Sequence, residues 1–346
     1  MTARPMPPRE RTWWSRTAAA AAVAAGHHPR LLQLTSGLML GLSMLALLLV
    51  LAPDLTRAPA ADQPVNPPLP TPLPIDRRHP SFAEEFDQLR LQGQGGPWRT
   101  RFDYAGIAAY TLASNGEKQL YVDRDFRGTA SSPLGLNPFN IAKGMLTITA
   151  APVTDAQAGK MWGYRYASGL LTTRHSFAQR YGYFEIRARL TDRASLWPAF
   201  WLLPADGSWP PEIDVFEQLG RDPATITMST VSNATTSGQK RPVHTHAVAT
   251  LPTAASAFHT YGLLWTPEQI AFYLDDREIS RMPTPADMHT PMYLLVNLAV
   301  GGPWAHDPAP DHPVNGTITV DYIRVYPLIS EDNPINSCKH RQSEQS

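Results

Sequence analysis

Tyr183-Phe-Glu-Ile-Arg-Ala-Arg-Leu190 decides the fold class. Tyr183, Glu185, Arg187 and Arg189 fall on one parity, and Phe184, Ile186, Ala188 and Leu190 on the other. A period of two with one apolar side predicts a strand that covers a core on one face. Downstream, Gln269-Ile-Ala-Phe-Tyr-Leu274 sets Ile270, Phe272 and Leu274 together. Asp275-Asp-Arg277 then turns the chain into Glu278-Ile-Ser, which predicts a hairpin. Met292-Tyr-Leu-Leu-Val-Asn-Leu298 is apolar on both parities and reads as a central strand. The long β-branched run Thr317–Tyr326 closes the pattern. Residues 81–327 carry almost no helical period, apart from a single turn expected at Thr284–Met288. The reading is all-β: a two-sheet antiparallel sandwich. Large sheets curl, and a curled sheet offers a concave cleft suited to an extended polymer.

The chain has 346 residues, with 30 Lys+Arg against 30 Asp+Glu, so its formal charge is zero. A neutral chain without a basic cluster excludes the usual nucleic-acid binder. Cys338 is the single cysteine, which excludes an intrachain disulfide and a cysteine-based zinc site. Residues 1–30 are basic and predict a cytoplasmic N-terminus. Residues 31–52 include the apolar run Leu38–Ala52, whose length lies between a signal-peptide core and a spanning helix. A cleaved signal and a membrane anchor are both open, and either exports the rest to the periplasm or beyond. Residues 53–80 hold nine prolines and read as an extended linker. The folded domain is placed at 81–327, followed by a polar tail at 328–346. A monomer is expected.

The chemistry concentrates in Trp209-Pro-Pro-Glu-Ile-Asp-Val-Phe-Glu-Gln-Leu-Gly220. Glu212, Asp214 and Glu217 lie within six residues of an otherwise apolar strand. Like charges on one strand repel and lose hydration, so a purely structural role is hard to justify. Alternation puts Glu212 and Asp214 on one face and Glu217 on the other. A β-bulge at Val215-Phe216 restores Glu217 to the first face, and one is predicted there. A retaining glycosidase uses two close carboxyls, one ionised as nucleophile and one protonated as acid. Asp214, between them, can share a proton with its neighbour. Two plainer readings compete: a solvated edge strand, which Ile213, Val215, Phe216 and Leu219 oppose, and a calcium site.

Glu212-Ile-Asp-Val-Phe-Glu217 resembles the bulged Glu-x-Asp-x-x-Glu signature of glycoside hydrolase family 16. Ala167–Arg174, Tyr181–Arg189, Leu196–Pro204, His259–Trp265, Met292–Gly302 and Val320–Tyr326 also resemble family segments, in family order. The resemblance implies a jelly roll, a double displacement with retention, and a β-linked polysaccharide such as a β-glucan or a bacterial exopolysaccharide. It matches Glu212 to the nucleophile, Glu217 to the acid/base and Asp214 to the assisting acid. Within the family it is most similar to bacterial endoglycanases that trim exopolysaccharides. A transglycosylase with the same residues and a non-catalytic glycan-binding jelly roll remain as alternatives. No cofactor is implied, and structural calcium near Asp321 and Glu84 is left open.

Indoles bury the apolar faces of sugars while their N–H groups bind hydroxyls. Trp197 and Trp201 share a parity ~13 Å apart, with core packing and sugar contact equally open for both. Trp209, close before Glu212, and Trp304, in a loop after Gly301-Gly-Pro, are read as sugar contacts, and Trp265 as core. Asn297 is a satisfied core amide or a substrate donor, and the family position favours the donor. His244 is placed, with His246, in a loop lining the cleft. Met228–Thr250 resembles the family least.

Overall fold

The computed structural model describes residues 73–236 and 239–329. In chain order the strands are β1 (Phe82–Glu84), β2 (Gln119–Tyr121), β3 (Phe139–Ala142), β4 (Met145–Pro152), β5 (Tyr166–Ser168), β6 (Leu170–Thr172), β7 (Gly182–Arg189) and β8 (Leu196–Pro204). They continue with β9 (Glu212–Leu219), β10 (Asp222–Thr236), β11 (Gln239–Thr250), β12 (His259–Trp265), β13 (Gln269–Leu274), β14 (Arg277–Pro283), β15 (Met292–Val300) and β16 (Gly316–Tyr326). Ten strands form one sheet around β14-β13-β12-β7-β16-β4-β5-β2, with β1 beside β16 and β3 beside β4; six form the other in the order β11-β10-β9-β8-β15-β6. The fold is the expected jelly-roll sandwich. Pairing is antiparallel apart from the short parallel contact of β2 with β5.

The two sheets meet over one apolar core. From β7 it takes Phe184, Ile186, Ala188 and the following Leu190; from β9 it takes Ile213, Val215 and Phe216. Trp265 lies in this core with its indole N–H on the Met288 carbonyl, as read. β13 and β14 form the predicted hairpin. Asp275 and Asp276 hold its turn at φ 48° and 60°, as a two-residue turn of primed type requires.

Three expectations need correction. No helix forms at Thr284–Met288; one-turn helices occur instead at Asp155–Ala158, capped by Thr154, and at Gly302–Ala305. The odd face of β7 is not solvated at its start, because Tyr183 and Glu185 are buried. The cover comes from before Ser81. Ile75 and Leu73 pack on Tyr183, Leu264, Tyr273 and Tyr326, and Ile75 bridges Leu328. The folded unit therefore starts at Leu73, inside the stretch read as linker. Residues 1–30, 31–52 and the rest of the linker and tail, with Cys338, lie outside the described residues. Among the described residues no helix is long and apolar enough to cross a membrane.

Candidate active site

β9 carries the acids, and its register shows how they reach one face. On β8, Ala199 is opposite Glu217 and Phe200 opposite Phe216, but Trp201 is opposite Asp214, so Val215 is the extra residue. β10 repeats the slip, with Thr227 opposite Glu217 and Ser229 opposite Asp214. Val215 and Phe216 both point into the core, and the bulge they form returns Glu217 to the face of Glu212 and Asp214.

Each acid is held by a named donor. The Trp209 indole N–H donates to Glu212 Oε2 at 2.8 Å, and the Trp197 indole N–H to Glu217 Oε1 at 3.1 Å. The Ser229 hydroxyl donates to Asp214 Oδ2 at 2.5 Å, and Asp214 is also hydrogen-bonded to Glu212. Burial pushes all three carboxyls up, and mutual repulsion pushes Glu212 and Glu217 further. Asp214 stays lowest, at about 6, because Ser229 and Glu212 stabilise its charged form against burial. Asp214 therefore ionises most readily of the three. Burial and the two neighbouring carboxyls all oppose ionisation of Glu217. Three carboxyls on one face thus differ in how readily each ionises, through environment alone.

The aromatic residues divide. Trp209 is 53% exposed beside Glu212, and Trp304 is 37% exposed. Trp304 sits in the one-turn helix rather than in a loop, and meets Trp197 edge to face at 4.9 Å. Trp197 is partly exposed, so it can meet a ligand while it braces Glu217. Trp201 is nearly buried in a small cluster on the outer face of the six-stranded sheet, with Phe102, Tyr121, Leu203 and Tyr293. Asn297 is buried too. Its Oδ1 accepts from Trp201 Nε1 at 2.7 Å and its Nδ2 donates to the Tyr121 hydroxyl at 3.0 Å. The amide is engaged within the protein, where it braces Trp201.

His244 lies on β11, a strand and not a loop. Register links Glu212 to Val231 and Val231 to His244, and likewise Asp214 to Ser229 and Ser229 to His246. Residues opposite each other share a face, so both imidazoles stand on the acid face two strands from the carboxyls. Partial burial and His246 lower the pKa of His244. Asp321 pairs with Arg187, and Glu84 accepts from the Phe86 N–H and the Trp98 indole. No group of three metal-binding side chains occurs among the described residues.

Sequence reading missed Ser229, Tyr121 and Glu117. Glu117 is buried beside Tyr121 and receives the Gln119 amide at 2.6 Å and the Leu112 N–H at 3.2 Å. Burial still pushes its carboxyl up to about 7. Only an acid placed next to the buried run Gln119–Val122 hinted at it.

An antiparallel sandwich that presents a bulged row of three acids among indoles on one sheet face defines a carbohydrate-active jelly roll. The chain belongs to glycosyl hydrolases family 16, whose sequence profile matches residues 110–324. It is 48% identical over 249 residues to the endo-1,3-1,4-beta-glycanase ExsH of Rhizobium meliloti, covering 72% of this chain and 51% of that protein. It is 30% identical over 266 residues to a beta-glucanase of Rhodothermus marinus, covering 66% of this chain and 84% of the relative. The laminarinase catalytic domain of Thermotoga maritima superposes with a TM-score of 0.57 at 26% identity, covering 72% of this chain and 98% of that one. The chain spans about half the length of the Rhizobium relative.

Proposed function

We propose that the protein is an endo-acting retaining hydrolase of a β-linked polysaccharide. The observation that carries this is the β9 bulge, which brings three buried carboxyls with raised pKa values onto one face. Glu217 protonates the glycosidic oxygen as the C–O bond breaks, and Glu212 adds to the anomeric carbon. Asp214 takes the Glu212 proton and leaves Glu212 charged. Glu217, now ionised, deprotonates the water that displaces Glu212, and the starting state returns. No metal or cofactor is needed for these steps.

Endo action is supported by the sheet, which continues on both sides of the acids: β10 and β11 one way, β8, β15 and β6 the other. A chain can extend past the cleaved bond in both directions. The names of the relatives favour a β-1,3 or mixed-linkage glucan; a bacterial exopolysaccharide is the other class proposed. The basic start and apolar run of the sequence support an exported or membrane-anchored placement, with the domain acting as a monomer.

The test is new reducing ends from a panel of β-glucans and exopolysaccharides. NMR should show the β-anomer formed first, and Glu212→Gln or Glu217→Gln should lose activity at least ~10²-fold while remaining folded. Full activity in either variant, or first formation of the α-anomer, overturns the reading. Sizing the products separates hydrolysis from transfer to a second sugar.

A further inference from the structure

Beyond the edge strand β6, a second feature suited to sugar lies next to the cleft. Arg99 bridges Thr172 of β6, and the chain then forms the wall of a hollow of about 300 Å³. Arg101, Tyr110, Tyr121, Asp123, Asp125 and Arg127 are among its lining residues. Tyr121 joins the two places. Its hydroxyl receives the Asn297 amide, which accepts from the buried Trp201 indole under the acid face, while Tyr121 also lines the hollow.

An aromatic platform stands beside it. Trp162 stacks on Tyr110 at 6.4 Å with 26° between the rings, and it is 47% exposed. Trp162 has φ 52°, a left-handed conformation that costs an ordinary residue about 1–2 kcal/mol. The chain thus accepts strain at a position that displays an indole to solvent. Asp123 is fixed by the Thr100 hydroxyl at 2.5 Å and by the Asp125 N–H at 3.0 Å. The Arg101 guanidinium reaches the Tyr110 hydroxyl at 3.4 Å. Two guanidiniums and two carboxylates leave the lining without net charge, which suits a neutral ligand. Flat aromatic surface takes the apolar face of a hexose, and paired donors and acceptors take its hydroxyls.

We propose that this hollow and its Trp162–Tyr110 platform form a distal subsite that holds a neutral hexose of the glycan chain, remote from the bond being cut. The assignment rests on the hydrolase reading above. It places the glycan track from the acids on β9 across the outer face of the six-stranded sheet and off it at β6. The three strand spacings from β9 to β6 alone span ~14 Å, so only a long chain reaches the subsite.

Trp162→Ala and Arg101→Ala alter exposed side chains and should leave the fold intact. With a polymeric neutral β-glucan, KM should rise at least fivefold with kcat unchanged. With an oligosaccharide too short to leave the cleft, kcat/KM should stay within twofold of the parent. Gel retardation by the same polymer should weaken in parallel, which reads binding without turnover. An unchanged polymer KM and retardation, or an equal loss on short and long substrates, overturns the subsite while the hydrolase reading stands. Retardation confined to glycans with acidic substituents overturns the neutral-hexose assignment. If the parent protein neither cleaves nor binds any glycan of the panel, both readings fall.

Discussion

The Ser229 hydroxyl gives Asp214 a donor from outside the acid cluster. This hydrogen bond lowers the Asp214 pKa against burial, so its removal moves that pKa above about 6. Asp214 then ionises at higher pH. Ser229→Ala should shift the acid limb of kcat/KM upward by about one pH unit, the equivalent of one hydrogen bond to a charged group. A pH–rate profile checks this, and an unmoved acid limb refutes it. Glu117 gives a second residue-scale test, read through stability. Its folded pKa of about 7 lies above the unfolded value, so the folded state holds the proton more tightly. The stabilisation is complete below pH ~4.5 and is lost as pH rises through 7. Across that window the parent should lose about 3 kcal/mol relative to Glu117→Gln, in urea titrations run at each pH. Parallel stability curves for the two proteins would disprove it. Glu117→Gln also places an amide among donors, so the test lies in the slope and not in the offset.

β9 shows what one additional residue does to an element. Removing Val215 closes the bulge into strict alternation, and Glu212, Asp214 and Glu217 then stand two and four steps apart on one face with Phe216 still inward. The deletion should therefore keep the fold and part of the activity, unlike Glu217→Gln, which should lose activity with the bulge intact. Complete loss of activity on deletion, with a collapsed urea midpoint, would show that the bulge does more than restore the acid to its face. The bulge was legible because three acids cannot share a core strand by any other arrangement. β7 shows the opposite case. Its odd face reads as solvated because Glu185, Arg187 and Arg189 alternate there, yet Tyr183 and Glu185 are buried. Alternation reports which face meets the main core, and it is silent about cover that arrives from a distant segment. Ser229 was hidden for the same reason. Its role comes from lying opposite Asp214 across the sheet, fifteen residues along the chain, and no local pattern encodes that pairing.

At the scale of the molecule, the sandwich followed from strand periodicity, while the extent of the domain did not. Proline density marked residues before Ser81 as linker, since no alternation was left to read there. The structure makes Leu73–Arg78 a strap over the outer face of the ten-stranded sheet. Asp76 N–H meets the Pro327 carbonyl at 3.0 Å, and Arg77 lies over Tyr183 and Tyr326 and 3.5 Å from Glu185. Burying Ile75 alone stabilises by about 2–3 kcal/mol. A chain that begins at Ser81 should thus melt roughly 5–10 °C below one that begins at Leu73. The gap should narrow with pH. Burial under the strap is the larger cause of the raised Glu185 pKa and Arg77 only partly opposes it, so removing the strap removes both and lets the pKa fall back. A carboxyl with a raised folded pKa loses its stabilising contribution as pH rises above the unfolded value near 4.5. The strap covers the sheet opposite the acids, so kcat below the transition should be the same for both chains. Coincident melting curves at pH 5 and pH 8 would return these residues to the linker.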